Sequence, residues 1–349
     1  MQIYQYLNYS FRIKLFPTFG FLHAIMSKLD NIREPVKPEM KEFNRRFRKS
    51  ISSSVPLLNL VTAYVLKRKG KQMRPLFVFL ASKMTGSVTD SSYTAASLIE
   101  LMHTATLVHD DVVDESNQRR GAYSINALWK SKAAVLVGDY LLSKGLLVSL
   151  ENKEFELLEI VSNAVKEISE GELHQIQKSR KLDISEEEYF EIIRRKTASL
   201  IAACTACGAK SVKVDDETLE KMWSFGELVG IAFQIRDDLF DYQKNGLVGK
   251  PMGNDIKEKK LTLPIIYALE QSDRSHRKKI LRMISSQRKN SKNLDLIIQF
   301  VIDQGGIEYS TKKMNEYKEK ALEILTEFPN SEAKESLIAL VNYSINRKK

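Results

Sequence analysis

Along almost the whole chain, apolar residues recur three and four positions apart with polar residues between them, the spacing of one buried helical face. The pattern predicts helices over 38–69, 91–115, 123–150, 154–178, 185–209, 215–243, 262–287, 293–303, 308–327 and 331–347. Short polar breaks divide them. "GSVTDSS" at 86–92, "KLDIS" at 181–185 and "KVDDE" at 213–217 supply the Asp and Ser that cap helix N-termini. Strand-like alternation is missing almost everywhere. The interval 243–264, "QKNGLVGKPMGNDIKEKKLTLP", has three glycines and two prolines and predicts a long loop, of the kind that is functional when it sits in a compact domain. The expected fold class is all-α, a single large helical bundle over 26–349.

Two of these helices end in acid. "LVHDDVVDESNQRRG" places Asp110, Asp111 and Asp114 in five residues, at the close of an apolar stripe through Leu98, Leu101, Met102, Ala105 and Val108. Asp110 and Asp114 share a face one turn apart, where like charges repel unless a cation neutralises them. One such cluster has an ordinary explanation as a solvated helix end. A second, Asp237, Asp238 and Asp241 in "FQIRDDLFDYQ", repeats the DDxxD spacing at the end of another apolar helix. The repetition points to magnesium, which takes carboxylate oxygens, keeps waters and bridges to phosphates. A nuclease reading of paired acids needs base-contacting elements or a catalytic His, Lys or Glu arrangement that the sequence lacks.

Charge and composition narrow the classes further. The chain has 349 residues, with 54 Lys and Arg against 44 Asp and Glu, a net charge of +10. A basic balance suits phosphorylated substrates, an anionic membrane surface or nucleic acid. The excess is spread out, although "RSHRKKILRMISSQRKNSKN" is rich in it. No nucleic-acid partner is expected, because no reading motif accompanies the charge. Cys204 and Cys207 in "AACTACGA" lie among small apolar residues at helical spacing, as buried helix residues in a reducing cytoplasm. No stretch reads as a transmembrane segment. Residues 1–25 carry no acid, are broken by Pro17 and Gly20, and read as a flexible extension or an upstream start, with Met26 opening a more ordinary beginning.

Cations that can meet phosphate stand in several places: Lys71 and Arg74 in "GKQMRP", His103 two turns before Asp110, Arg119 and Arg120, Lys196, Lys250 and Lys260. Arginine suits bidentate phosphate contact, and lysine acts as a point charge. Together they suffice for two diphosphates, one held through metal and one by side chains alone.

From about Lys41 to the C-terminus the chain resembles the trans-isoprenyl diphosphate synthases, the polyprenyl synthetases. The resemblance rests on an ordered set: "GKQMRP", "ELMHTATLVHDDVVDESNQRRG", "LVGDYLL", "GELHQ", "KTASL", "GIAFQIRDDLFDYQ" and "GKPMGNDIKEKKLTLPII". It implies a helical bundle of the isoprenoid synthase type with a central active-site cavity. The implied reaction is a Mg2+-dependent head-to-tail condensation of isopentenyl diphosphate onto an allylic diphosphate, with three ions per site. Asp110, Asp111, Asp114, Asp237 and Asp241 are then metal ligands, with Asp238 beside them. Arg119 contacts the allylic diphosphate with Lys196 and Lys250 assisting, and Lys260 is a further substrate-binding residue. Gly70, Lys71, Arg74, His103 and Arg120 hold isopentenyl diphosphate, and Thr197 and Gln234 line the reacting region. Arg236 has no counterpart role and is expected as a salt-bridge partner of the acids. The resemblance also implies a homodimer.

Chain length is expected to be set along the first acid helix. Ala105 and Thr106 are small where short-chain enzymes of the family carry a bulky aromatic, so a tunnel past Met102 implies a product longer than C20, of the kind that feeds a quinone side chain. Such a lipid-like product makes peripheral membrane contact plausible. A farnesyl or geranylgeranyl diphosphate synthase is the alternative within the class. A terpene cyclase does not need "GKQMRP", a squalene-type synthase has different motifs, and an inactive partner subunit is expected to have lost its aspartates.

Overall fold

A computed structural model describes residues 28–67, 70–119, 122–242, 253–286 and 293–346. The extension at 1–25, Arg120 and Lys250 lie outside them. The helices are α1 (Lys37–Ser50), α2 (Pro56–Lys67), α3 (Met73–Thr85), α4 (Asp90–Val113), α5 (Ile125–Glu151), α6 (Phe155–Lys181), α7 (Glu186–Ile193), α8 (Ser199–Lys210) and α9 (Asp216–Phe240). After a single turn, α10 (Asn254–Lys257), come α11 (Leu263–Gln271), α12 (Arg274–Ser285), α13 (Asn293–Asp303), α14 (Gly306–Thr326) and α15 (Glu332–Ile345). The one strand pair among the described residues, β1 (Gln118–Arg119) and β2 (Ala122–Tyr123), is a small antiparallel hairpin between α4 and α5.

Local chemistry explains where the structure departs from periodicity. The helix expected over 38–69 is divided at 51–55. The Asn59 carboxamide bonds both the N–H (2.9 Å) and the carbonyl (2.6 Å) of Ser53, and Pro56 opens a new helix. The stretch 262–287 divides at Asp273, whose carboxylate accepts the N–H groups of Ser275 (2.8 Å) and His276 (3.0 Å) and so caps α12. Helix α3 was not expected at all. Every residue from Pro75 to Ser82 is buried, so it has no polar face for a periodic pattern to reveal.

Helices α3 and α8 form the centre of the molecule. "AACTACGA" is buried from Ala202 to Ala209. A Cβ on Gly208 would meet the Val78 carbonyl at 2.5 Å, and one on Gly226 the Ala202 Cα at 2.6 Å. Small residues on α8 therefore let α3 and α9 approach closely, and both cysteines are packing residues. Burial pushes the Cys204 thiol up to about 12. Around this centre the buried residues form one contiguous cluster, anchored by Phe43, Phe79 and Phe225 at 0% exposure. Burying each such side chain contributes about 1.5–3 kcal/mol.

Helix α5 has 27 residues and, by length and composition alone, is long and apolar enough to cross a bilayer, with 33% of its most apolar window buried. It is broken at Lys130 (φ 70°) and packs along α4, where Gly145 admits Met102 and Leu98. Leu136, Leu147 and Leu150 stand exposed on its other side at helical spacing.

Candidate active site

Between α7 and α8 the chain widens into one π-helical turn, Arg194–Ala198. Such turns recur at functional sites because they turn side chains out of helical register. Two glycines from separate motifs clamp it. A Cβ on Gly171 of α6 would stand 3.0 Å from the Lys196 nitrogen, and one on Gly230 of α9 would stand 2.4 Å from the Ala198 Cα. The turn thereby presents Lys196 to α6 and Thr197 to α9. Because the Gly230 clash is with backbone, Gly230→Ala is expected to cost about 1–3 kcal/mol of stability, read as a lower denaturant midpoint.

From Thr197 a line of hydrogen bonds runs into the second acid cluster. The Thr197 hydroxyl donates to Gln234 Oε1 (2.7 Å), and Gln234 Nε2 donates to Asp238 Oδ1 (2.8 Å). The Tyr189 hydroxyl donates to Asp238 Oδ2 (2.7 Å). Asp238 is 5% exposed, whereas Asp237 faces solvent. Burial, then the charge of Asp255, pushes the Asp238 carboxyl up to about 8. Burial likewise raises the Tyr189 phenol, which stays a donor.

Asp241 also organises the turn that follows the cluster. Its Oδ1 accepts the N–H of Asn254 (2.9 Å), its Oδ2 that of Asp255 (3.0 Å), and its carbonyl that of Gly253 (3.0 Å). It caps α10 and thereby brings Asp255 toward Asp238, which also feels the charge of Asp237 in its own run. Arg236 places its guanidinium 4.1 Å from the Phe240 ring centre.

Behind this cluster lies a polar cavity of about 90 Å³ lined by Lys178, Lys196, Lys260, Asp238 and Asp255. Lys196 is held by Glu172 (2.5 Å) and Gln175 (2.7 Å), both in the "GELHQ" motif. Lys260 pairs with Glu258 at 2.7 Å. Burial works against its charge, but Glu258, Asp255 and Glu172 outweigh that and raise its pKa.

The first cluster closes α4. Asp111 is 4% exposed, and Asp110 and Asp114 face solvent. The chain then turns into the hairpin that carries Arg119 in β1. Asp111 also lines a second, larger cavity of about 860 Å³. At one part of this cavity stand Gly70, Lys71, Arg74 and His103; the rest is largely apolar, with Phe47, Ile51, Val65, Phe77, Leu107, Leu141 and Phe233 in its wall. Helices α4 and α9 face each other across it. From α9, Val229 and Phe233 line this cavity, Phe233 one turn before Asp237, while Asp238 lines the smaller one.

The open space differs from the one expected along Ala105, Thr106 and Met102. Helix α4 contributes Glu100, His103, Thr104, Leu107 and Val108 to the cavity. Ala105 and Met102 are 1% and 3% exposed on the flank covered by α5, and the Thr106 hydroxyl donates to the His103 carbonyl (2.9 Å).

The donor set fits a hard cation. Both clusters offer only carboxylate oxygen, and a cation beside Asp238 would offset the burial and the Asp255 charge that raise its carboxyl. Among the described residues no three His, Cys, Asp or Glu side chains converge to hold an ion by themselves. Tyr189, Asp255, Glu172 and Gln175 were not singled out from the sequence. Tyr189 belongs to no motif and meets Asp238 only through the fold, although the other three stand inside motifs already recognised.

The family model described as polyprenyl synthetase matches residues 55–301. The octaprenyl diphosphate synthase of Escherichia coli (strain K12) is 33% identical over 320 residues, covering 91% of this chain and 99% of that protein. A crystal structure of a decaprenyl diphosphate synthase from Rhodobacter capsulatus superposes with a TM-score of 0.87 at 32% identity, covering 92% of this chain and 99% of that one. A polyprenyl synthase from Caulobacter crescentus CB15, complexed with calcium and isoprenyl diphosphate, gives a TM-score of 0.84 at 31% identity over 92% of this chain and 98% of that one.

Proposed function

The chain belongs to the polyprenyl synthetase family, and on that premise we propose that it is a polyprenyl diphosphate synthase. It joins isopentenyl diphosphate head to tail onto an allylic diphosphate and makes a product longer than C20. The observation that carries this reading is the single cavity of about 860 Å³ that has a cationic cradle, a buried carboxylate and a long apolar wall. We take residues 26–349 as one catalytic unit.

Asp110, Asp111, Asp114, Asp237 and Asp241 would hold Mg2+ against the allylic diphosphate, with three ions per site. When bound, Mg2+ neutralises the leaving diphosphate as the allylic C–O bond breaks. Lys71, Arg74 and His103 hold the second diphosphate without metal, and this fixes its double bond against the allylic carbon. That π pair forms the new C–C bond, the diphosphate leaves with the C–O pair, and it accepts the proton lost from the new cation. Lys196 reaches a phosphate oxygen by exchanging Glu172 for it. Thr197 and Gln234 orient Asp238, Lys260 adds positive charge from the loop side, Arg119 and Lys250 complete the allylic site, and Arg120 joins the isopentenyl diphosphate cradle.

Incubation of the protein with Mg2+, farnesyl diphosphate and labelled isopentenyl diphosphate, followed by sizing of the product, tests the reaction. A product beyond C20 is expected. A C15 or C20 product overturns the long chain and leaves the chemistry, and no product at all returns weight to an inactive subunit. Two variants locate the tail. Thr104→Phe shortens the product if the chain grows into this cavity. Shortening by Ala105→Phe alone would place the tail on the α5 flank.

The exposed Leu136, Leu147 and Leu150 of α5 are best covered by a second copy of the chain, as a homodimer in the cytoplasm. Sedimentation equilibrium on the purified protein checks this, with twice the chain mass expected.

A further inference from the structure

One stretch of the chain is dense in positive charge. Residues 274–292 contain eight Lys or Arg and no Asp or Glu, which is eight of the ten net positive charges of the whole chain. The structure shows how the first part of that stretch is presented. Helix α12 packs through Ile280 and Ile284. Arg274, Arg277, Lys278, Lys279 and Arg282 are all exposed. Among the described residues none of these five forms an ion pair, and the one acid whose carboxyl feels Arg277 is Glu270, at the end of α11. The acid at the start of the helix, Asp273, is taken up in capping it and in pairing with His276 at 2.5 Å.

The next described helix, α13, begins beside the second acid cluster. Leu294, in the first turn of α13, lies against Gly253, where an added Cβ would meet it at 2.3 Å. The Gly253 N–H in turn bonds the carbonyl of Asp241, the last acid of the second cluster. The unpaired cationic surface is thus tied to the mouth at which the diphosphate end of the product sits.

We propose that the exposed face of α12 is a docking surface for an anionic lipid bilayer, on which the enzyme sits while its product passes into the membrane. The proposal rests on the reading that the product is a long prenyl chain, which water does not dissolve. A bilayer bearing phosphate headgroups is the partner that accepts such a chain and complements this charge. The apolar residues of α12 are engaged in the bundle, so the contact is electrostatic and does not insert. It therefore weakens steeply with salt, because charges more than about 10 Å apart are screened at 0.1 M.

The test is co-sedimentation of the full chain with vesicles. One set is phosphatidylcholine alone and the other is phosphatidylcholine and phosphatidylglycerol in equal parts. Each is run at low and at physiological salt. The expected result is binding to the anionic vesicles only. Replacing Arg274, Arg277, Lys278 and Lys279 by Gln weakens that binding by at least about tenfold and leaves turnover without vesicles unchanged. Equal binding by the Gln variant, or equal binding to neutral vesicles, overturns the proposal. So does tighter binding of the wild-type chain to a polynucleotide than to the anionic vesicles at the same salt. The same preparations are assayed for product length. A short product with vesicle binding intact sinks the long-chain reading and not the surface, and a long product without vesicle binding sinks the surface alone.

Discussion

Asp237→Asn and Asp110→Asn each lower kcat by about a thousandfold, and neither lowers the unfolding midpoint. Both acids are exposed at the C-terminal end of a long helix. There the helix dipole is negative, and a neighbouring carboxylate one turn away repels them. Removing either charge leaves the metal-free fold unchanged or more stable by a few tenths of a kcal/mol. The loss falls on the leaving diphosphate, whose charge is then poorly neutralised as the C–O bond breaks, and loss of one preorganised electrostatic partner typically costs about 10²–10³ in rate. Steady-state kinetics and a denaturant titration of the same variants decide the matter. Activity within tenfold of wild type would show that these acids are solvated helix ends and nothing more.

Without metal, the protein loses stability as the pH rises from about 4 to about 8. The cause is Asp238, whose carboxyl is pushed up to about 8 by burial and by Asp255. In the unfolded chain it titrates near 3.8, so across this interval the folded state holds a proton that the unfolded state has released. Stability is full below the unfolded value and declines through the folded one, at up to about 1.4 kcal/mol per pH unit. Glu42 and Glu191, held down to about 2 by their arginine partners, act in the opposite direction, but only below about 4.5. Asp238→Asn keeps the side chain in place and removes the slope. Mg2+ with a diphosphate flattens it as well, because a cation stabilises the charged carboxylate. Thermal melts in chelator at pH 5, 6, 7 and 8 read the effect, and a flat profile would mean that Asp238 is ionised in the fold.

Much of this protein is visible without coordinates. Helix boundaries at 90–113, 155–181 and 216–240 lie within a few residues of the periodicity, because each helix has one apolar face and a polar cap. The two acid clusters announce themselves because DDxxD is repulsive without a cation, and that repulsion is a property of spacing alone. "GKQMRP" and "KTASL" likewise carry their charges in the order of the chain. Helix α3 does not show itself, because a helix buried on every side has no period. The break at 51–55 depends on one Asn59 carboxamide folding back onto Ser53.

What tertiary structure decided is which of these groups meet. Asp241 looks like its neighbours in the sequence, yet it spends both carboxylate oxygens on the backbone of α10. Tyr189 stands 49 residues from the carboxylate it holds. Ala105 is small, but smallness opens a tunnel only where no helix fills the space, and there α5 does. Local spacing determines helices, caps and like-charge clusters, since these depend on neighbours along the chain. Burial, partner exchange and cavity shape depend on contacts between residues far apart in sequence, and those exist only once the helices have packed.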